Sequence, residues 1–270
     1  MKRKMKIQWL GSLLVMLFLN VPGSYAQNIF NMAADLLEDD SSVTDESPEQ
    51  SSSELSEAEN AVPVQPSPIP GLEAKAVAGD AYSQAVLGWH YWTGFGVKED
   101  ATKASELFWK SARQNHPLGL FGVANLVNAG EGGNAKNEEK AKLIYQKARP
   151  ALESLATAGD PYAQAELGRM YDLGLGLETN YAEAAKWYQK AATQGSVRGQ
   201  IGLGYSYQYG EGVEKNAEEA VKWYRKAAEQ GFADAQCNLG FMYDTGQGVE
   251  KNAEEAVKWY LKAAEQGQAR

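Results

Sequence analysis

Residues 212–231 read GVEKNAEEAVKWYRKAAEQG and residues 248–267 read GVEKNAEEAVKWYLKAAEQG, differing only at Arg225 and Leu261. The two stretches lie 36 residues apart, and the same step recurs upstream. Gly159, Gly195, Gly231 and Gly267 keep it. So do Leu167-Gly168, Leu203-Gly204 and Leu239-Gly240, the tyrosines 171, 207 and 243, and Trp187, Trp223 and Trp259. A fixed period of this size restricts the fold sharply. Each copy is one supersecondary unit that cannot bury its apolar face alone, and stacked copies bury a continuous core. An earlier copy opens with Leu87-Gly88 and Tyr91 and ends near Asn115, where a glycine is expected. Between Asn115 and Gly159 lies a divergent copy of 44 residues, with Val123-Ala124 in place of Leu-Gly. Its extra segment, RPALESL, is expected to lengthen or break its second helix at Pro150.

Each unit reads as two helices. In the last one, Ala235, Leu239, Gly240 and Tyr243 keep helical spacing, and Gly246-Gln-Gly248 makes a turn. Asn252 followed by Glu255 predicts a capping box for the next helix. The inward face of that helix is Ala256, Val257, Tyr260, Ala263 and Ala264, and Gly267 ends it.

Charge divides the chain differently. Residues 1–26 hold four bases and no acid, residues 27–74 eleven acids and no base, and the remainder 22 bases against 24 acids, which together give the net charge of −9. The basic start, the apolar run through Leu19 and the Ser24-Tyr25-Ala26 site predict a cleaved secretory signal at 1–26; the run is short for a membrane anchor, the competing reading. Residues 27–70 are rich in Ser, Glu and Pro, and read as a disordered acidic tether. Its first residues, NIFNMAADLLED, could instead form a short amphipathic helix on a partner. Residues 71–270 carry the repeats, about five of them at 79–115, 116–159, 160–195, 196–231 and 232–267. Without a clustered basic run, no nucleic-acid partner is expected. Cys237, the single cysteine, excludes an internal disulfide and reads as a half-buried small residue, with an intermolecular disulfide as the competing reading.

The pattern A-x-x-x-L-G-x-x-Y-x-x-G-x-G-V followed by A-x-x-W-Y-x-K-A-A-x-x-G resembles Sel-one-like repeats, the branch of the tetratricopeptide superfamily with repeats of 36 to 44 residues. Ala235, Leu239, Gly240, Tyr243, Gly246, Gly248, Val249, Ala256, Trp259, Tyr260, Lys262, Ala263, Ala264 and Gly267 carry it. The first copy departs from it with Phe108-Trp109 for Trp-Tyr and Ser111 for Ala. The resemblance implies an all-α fold, a right-handed α/α solenoid of helix pairs, acting as a scaffold for a protein or peptide partner and using no cofactor. It also implies that the first helix of each pair lines a concave groove. Carried onto this chain, the groove positions are Tyr82, Trp89 and Trp92; Phe121, Asn125 and Asn128; Arg169 and Asp172; Arg198, Tyr205, Gln208 and Tyr209; and Asp234, Phe241 and Asp244. These positions vary between copies, whereas Trp187, Trp223 and Trp259 do not and read as structural. Trp89 and Trp92 have a competing role in packing on the preceding short helix.

Catalytic patterns are missing from the sequence. His90 and His116 are its only histidines, HExxH and CxxC do not occur, and Cys237 has no evident base. Gly210-Glu-Gly212 lacks the Lys-Ser/Thr of a phosphate loop, and Glu218-Glu219 and Glu254-Glu255 are helix-start charges. No catalytic, metal or cofactor residue is therefore expected. The expectation is a non-enzymatic binding protein, exported to the periplasm as an envelope adaptor, or secreted to engage a host protein. An envelope hydrolase or penicillin-binding enzyme is the third reading. After signal cleavage no membrane span is expected. Val257, Tyr260 and Leu261 on the last helix suggest a face for self-association or a partner.

Overall fold

The computed structural model describes residues 69–268, so the expected signal sequence and all but the last two positions of the expected tether lie outside the described residues. The described residues form helices and loops only. A short α1 (Ile69–Val77) precedes five helix pairs: α2 (Ala81–Thr93) with α3 (Ala101–Arg113), α4 (Pro117–Ala129) with α5 (Glu138–Thr157), α6 (Pro161–Leu173) with α7 (Tyr181–Thr193), α8 (Val197–Tyr209) with α9 (Ala217–Glu229), and α10 (Ala233–Thr245) with α11 (Ala253–Gln268). Each helix packs on its partner and each pair on the next, a helical solenoid. The first helices α2, α4, α6 and α8 also touch one another in succession, which places them on the inner, shorter arc.

Local chemistry fixes the helix ends. Asp80, Asp160 and Ser196 accept from the backbone N–H three residues on, and so do Asp100, Asn137, Asn180, Asn216 and Asn252 at the second helices. The expected capping box is half formed. Asn252 caps Glu255, but the Glu255 carboxylate accepts from Lys258, and the N–H of Asn252 donates to the carbonyl of Tyr243. Asn216 and Asn180 donate in the same way to Tyr207 and Tyr171, tying each second helix to the end of the first. The turn glycines do more than stop a helix. Gly212 has φ +75°, and a Cβ there would run into the backbone carbonyl of Tyr181 in the preceding pair. Asn115 stands where the glycine was expected and takes the same left-handed backbone, φ 56°. Pro150 lies inside a continuous α5, so the extra residues lengthen that helix rather than break it.

Aromatic rings fill the seams between alanines and glycines. A Cβ on Gly168 would sit 2.7 Å from the Tyr188 ring, and one on Gly202 of the next pair would meet the same ring from the other side. Phe108 is held likewise between Gly88 and Gly122. The helices correct the register of the first copy: Phe108 takes the place of Tyr188 and Leu107 that of Trp187, rather than Phe108-Trp109 standing for Trp-Tyr, and the Phe-for-Tyr change has a cause. Tyr188 donates its hydroxyl to Asp172, and Tyr224 donates to Gln208. The matching position before Phe108 is Trp92, which offers no acceptor. Ser111, where other copies have Ala, is fully buried and donates to the carbonyl of Ala81. A second repeated device is a glutamine ladder. Gln84, Gln164 and Gln236 each donate to a carbonyl at the end of the preceding helix. Gln84, Gln164, Gln200 and Gln236 each accept from Gln114, Gln194, Gln230 or Gln266 at the end of their own pair. On α9, Val221 and Tyr224 are buried under α10; their counterparts on α11, Val257 and Tyr260, are half-buried and Leu261 is exposed.

Candidate functional site

The variable positions of the first helices converge on one cleft of about 650 Å³ along the inner arc. Trp92 from α2, Arg169 and Asp172 from α6, Arg198 and Tyr205 from α8 and Asp234 from α10 all line it. Tyr205 is 44% exposed and packs at a tilt of 42° against Tyr209, with ring centroids 4.3 Å apart. Other candidates do not share this surface. Tyr82 packs edge-on against His116 and Tyr162, and Asn128, Phe241 and Asp244 are half-buried outside the cleft lining.

Four expected groove residues are closed off inside the protein, and the structure corrects them. Phe121 is 1% exposed and packs on Tyr145. Asn125 is buried and accepts from the Tyr145 hydroxyl and from Arg169. Gln208 is buried under the Tyr224 hydroxyl. Trp89, 7% exposed, lies against Phe95, Tyr162 and Phe232. These side chains support the cleft rather than form its surface. Cys237 was expected half-buried and is exposed.

The cleft contains residues that the pattern did not single out. Leu173, Tyr181, Glu99, Glu211, Ile201 and Phe232 line it too. Behind it, buried Glu166 takes ion pairs from both arginines, from Arg169 at 3.6 Å and from Arg198. Arg198 also lies over the Trp89 ring at 5.0 Å, and Arg169 over Trp92 at 5.8 Å. Burial pulls the Arg198 guanidinium below its ordinary value; with Glu166 against it, it stays charged at neutral pH. Burial pushes the Asp172 carboxyl up, against the Tyr188 hydroxyl and Arg169, which pull it down. A signal for these residues was present. Glu166 stands where other copies have Val86, Gly122, Gly202 or Asn238, and Phe232 stands where they have Asp80, His116, Asp160 or Ser196.

The histidines are packing groups. His90 is buried, its Nδ1 bonds to the carbonyl of Phe95 at 2.7 Å, and burial pulls its pKa down. Among the described residues no group of three His, Cys, Asp or Glu side chains could hold a metal ion, and no helix is long and apolar enough to cross a membrane.

The Sel1 repeat profile matches residues 81–116, 161–196, 197–232 and 233–268. The chain belongs to the Sel1 repeat family. The matched segments coincide with four of the five helix pairs, and the pair α4–α5, with its lengthened second helix, falls outside them. Similar solved structures include Sel1 repeat proteins. A Sel1 repeat protein from Oxalobacter formigenes is 31% identical, over 70% of this chain and 72% of that one, with a TM-score of 0.48. The protective antigen c5321 of uropathogenic Escherichia coli, described as displaying an SLR fold, is 32% identical over 74% of this chain, with a TM-score of 0.45. The match spans only 41% of that longer chain. The immunity protein Pa5087 from Pseudomonas aeruginosa is 25% identical over 69% of this chain and 66% of that one, with a TM-score of 0.44. No curated protein matches this Sel1 repeat chain.

Proposed function

We propose that this Sel1 repeat protein works by binding, docking a peptide or protein segment in its inner cleft without catalysing a reaction. The observation that carries the reading is the convergence of copy-to-copy differences. The repeated residues build the seams, whereas Trp92, Tyr205, Tyr181 and Phe232, each at a position that changes between copies, line the same cleft. Exposed aromatic rings in a concave, preformed site are what a protein uses to gain binding energy with little reorganisation. The buried, carbonyl-bonded His90 favours binding over acid–base chemistry.

The reading extends to location. The basic start, apolar run and Ser-Tyr-Ala site support export, and the protein serves as an envelope adaptor in the periplasm. Release from the cell to engage a host protein is the second outcome. Affinity capture with the full mature chain, from envelope and from culture fractions, separates the two. The control is the double variant Tyr181→Ala/Tyr205→Ala, since both rings are exposed and their loss leaves the core intact. A partner captured by the wild type and lost by the folded variant supports the cleft. A partner retained by both places binding elsewhere. Fractionation that leaves the chain in the cytoplasm would overturn the export reading.

A further inference from the structure

The charges of the cleft do not balance, and the side chains holding the positive ones face inward. Two arginines line it, against four carboxylates: Glu99, Asp172, Glu211 and Asp234. Both guanidiniums are already engaged. Arg198 pairs with Glu166 and lies over Trp89. Arg169 is shared between the Asn125 carbonyl oxygen at 3.2 Å and Glu166. An incoming carboxylate would have to displace Glu166, whose side chain is 8% exposed, and leave it buried without its cations. An incoming cation meets a different wall. Asp172 is half-buried, accepts a hydrogen bond from the Tyr188 hydroxyl at 3.2 Å, and shares the cleft with Trp92 and Tyr205. A partly desolvated carboxylate beside aromatic faces suits a Lys or Arg side chain. The stem covers apolar surface, the head pairs with the acid, and the rings add cation–π attraction.

We propose that the cleft selects a basic peptide segment, seating a Lys or Arg side chain between Trp92 and Tyr205 with its charge on Asp172 and Glu211. This rests on the binding role proposed above and names its partner chemistry. Electrostatic matching of this kind governs partner choice and encounter rate more than total affinity.

The test is selection of random peptides displayed on phage against the full mature chain, followed by affinities for synthetic versions. Peptides that lose binding in Tyr181→Ala/Tyr205→Ala define the cleft-dependent set. The expected result is that this set is enriched in Lys and Arg. Its affinity should fall about tenfold or more in Asp172→Asn/Glu211→Gln, with the helical circular dichroism retained and the melting temperature not lowered. Binding should also weaken as salt is raised. A cleft-dependent set that is neutral or acidic, or that is indifferent to Asp172→Asn/Glu211→Gln, overturns the basic-peptide assignment while leaving the binding role standing. If no selected peptide depends on Tyr181 and Tyr205, the cleft itself is overturned as the binding surface, and this assignment with it.

Discussion

Phe232 stacks on Trp89 with ring centroids 6.1 Å apart and planes 15° apart, although Trp89 belongs to the first helix pair and Phe232 opens the fifth. Phe95, from the turn between α2 and α3, closes the cluster at 5.6 Å from Phe232. Both phenylalanines break the repeat. Phe232 occupies an N-cap position and makes no side-chain cap bond, and Phe95 sits between two turn glycines where other copies carry Glu131, Leu175, Glu211 or Gln247. A cap bond given up at Phe232 is offset by an aromatic contact across the inner arc.

Phe232→Ser separates these two effects. Serine restores a cap worth about 1 kcal/mol, but removes the ring from Trp89 and Phe95. The expected outcome is net destabilisation of about 1–3 kcal/mol. Thermal unfolding followed by tryptophan fluorescence checks it. Unchanged stability would mean that the cluster does not hold the arc.

Gly168→Ala is expected to destabilise by about 1–3 kcal/mol, because its methyl group would press on the Tyr188 ring from 2.7 Å. That ring is also bounded by Gly202, so it has little room to move. Urea unfolding measures the loss, and a variant as stable as the wild type would count against glycine as the spacer of the seam.

The period, the two-helix unit and the all-helical solenoid were legible because they depend on local residues that recur: Leu-Gly, Tyr, the turn glycines and the Asn caps. The cleft was legible in part. Trp92, Arg169, Asp172, Arg198, Tyr205 and Asp234 share it, since a position facing the inner arc in one copy faces it in the next. Trp89, Phe121, Asn125 and Gln208 occupy groove positions by the same rule, yet they are covered by neighbours that no local pattern specifies. Trp89 is covered by a residue from the fifth pair, a contact set by the curvature of the whole array. The glutamine ladder was visible as Gln at a constant spacing of 30 residues, a signal hidden by reading only apolar and glycine positions.

Gln236→Leu removes one rung of that ladder. It takes the side-chain donor from the Ala228 carbonyl, which keeps the N–H of Gly231, and the glutamine acceptor from the Gln266 amide, which keeps the Lys262 carbonyl. Two hydrogen bonds lost together cost about 1–3 kcal/mol. The fifth pair should then loosen first, with faster hydrogen exchange in α10 and α11 than in α6 and α7. Uniform exchange across the pairs would argue that the rung contributes nothing local.

Asp172 gives a pH dependence of definite sign. Burial raises its carboxyl in the folded state; the Tyr188 hydroxyl and then Arg169 oppose this without cancelling it. A raised folded value means that ionisation disfavours the fold. Its unfavourable contribution is absent below the ordinary aspartate value near 3.8 and complete above the raised folded value. Asp172→Asn should therefore be more stable than the wild type at neutral pH, with the advantage shrinking as pH falls toward 3.8. Melting curves of both proteins across that range check it. An advantage that grows on acidification would reverse the assignment.

The contact between Phe232 and Trp89 bears on how long this array can be. A solenoid held only by nearest neighbours tolerates gain or loss of a unit, since each new seam repeats the old ones. Here a duplicated 36-residue unit inserted between α7 and α8 would carry Phe232 a full step away from the first pair. Each seam would still form, but the ring would have no Trp89 to meet. The chain thus has a means of counting its own units: with three pairs between them, the two rings meet.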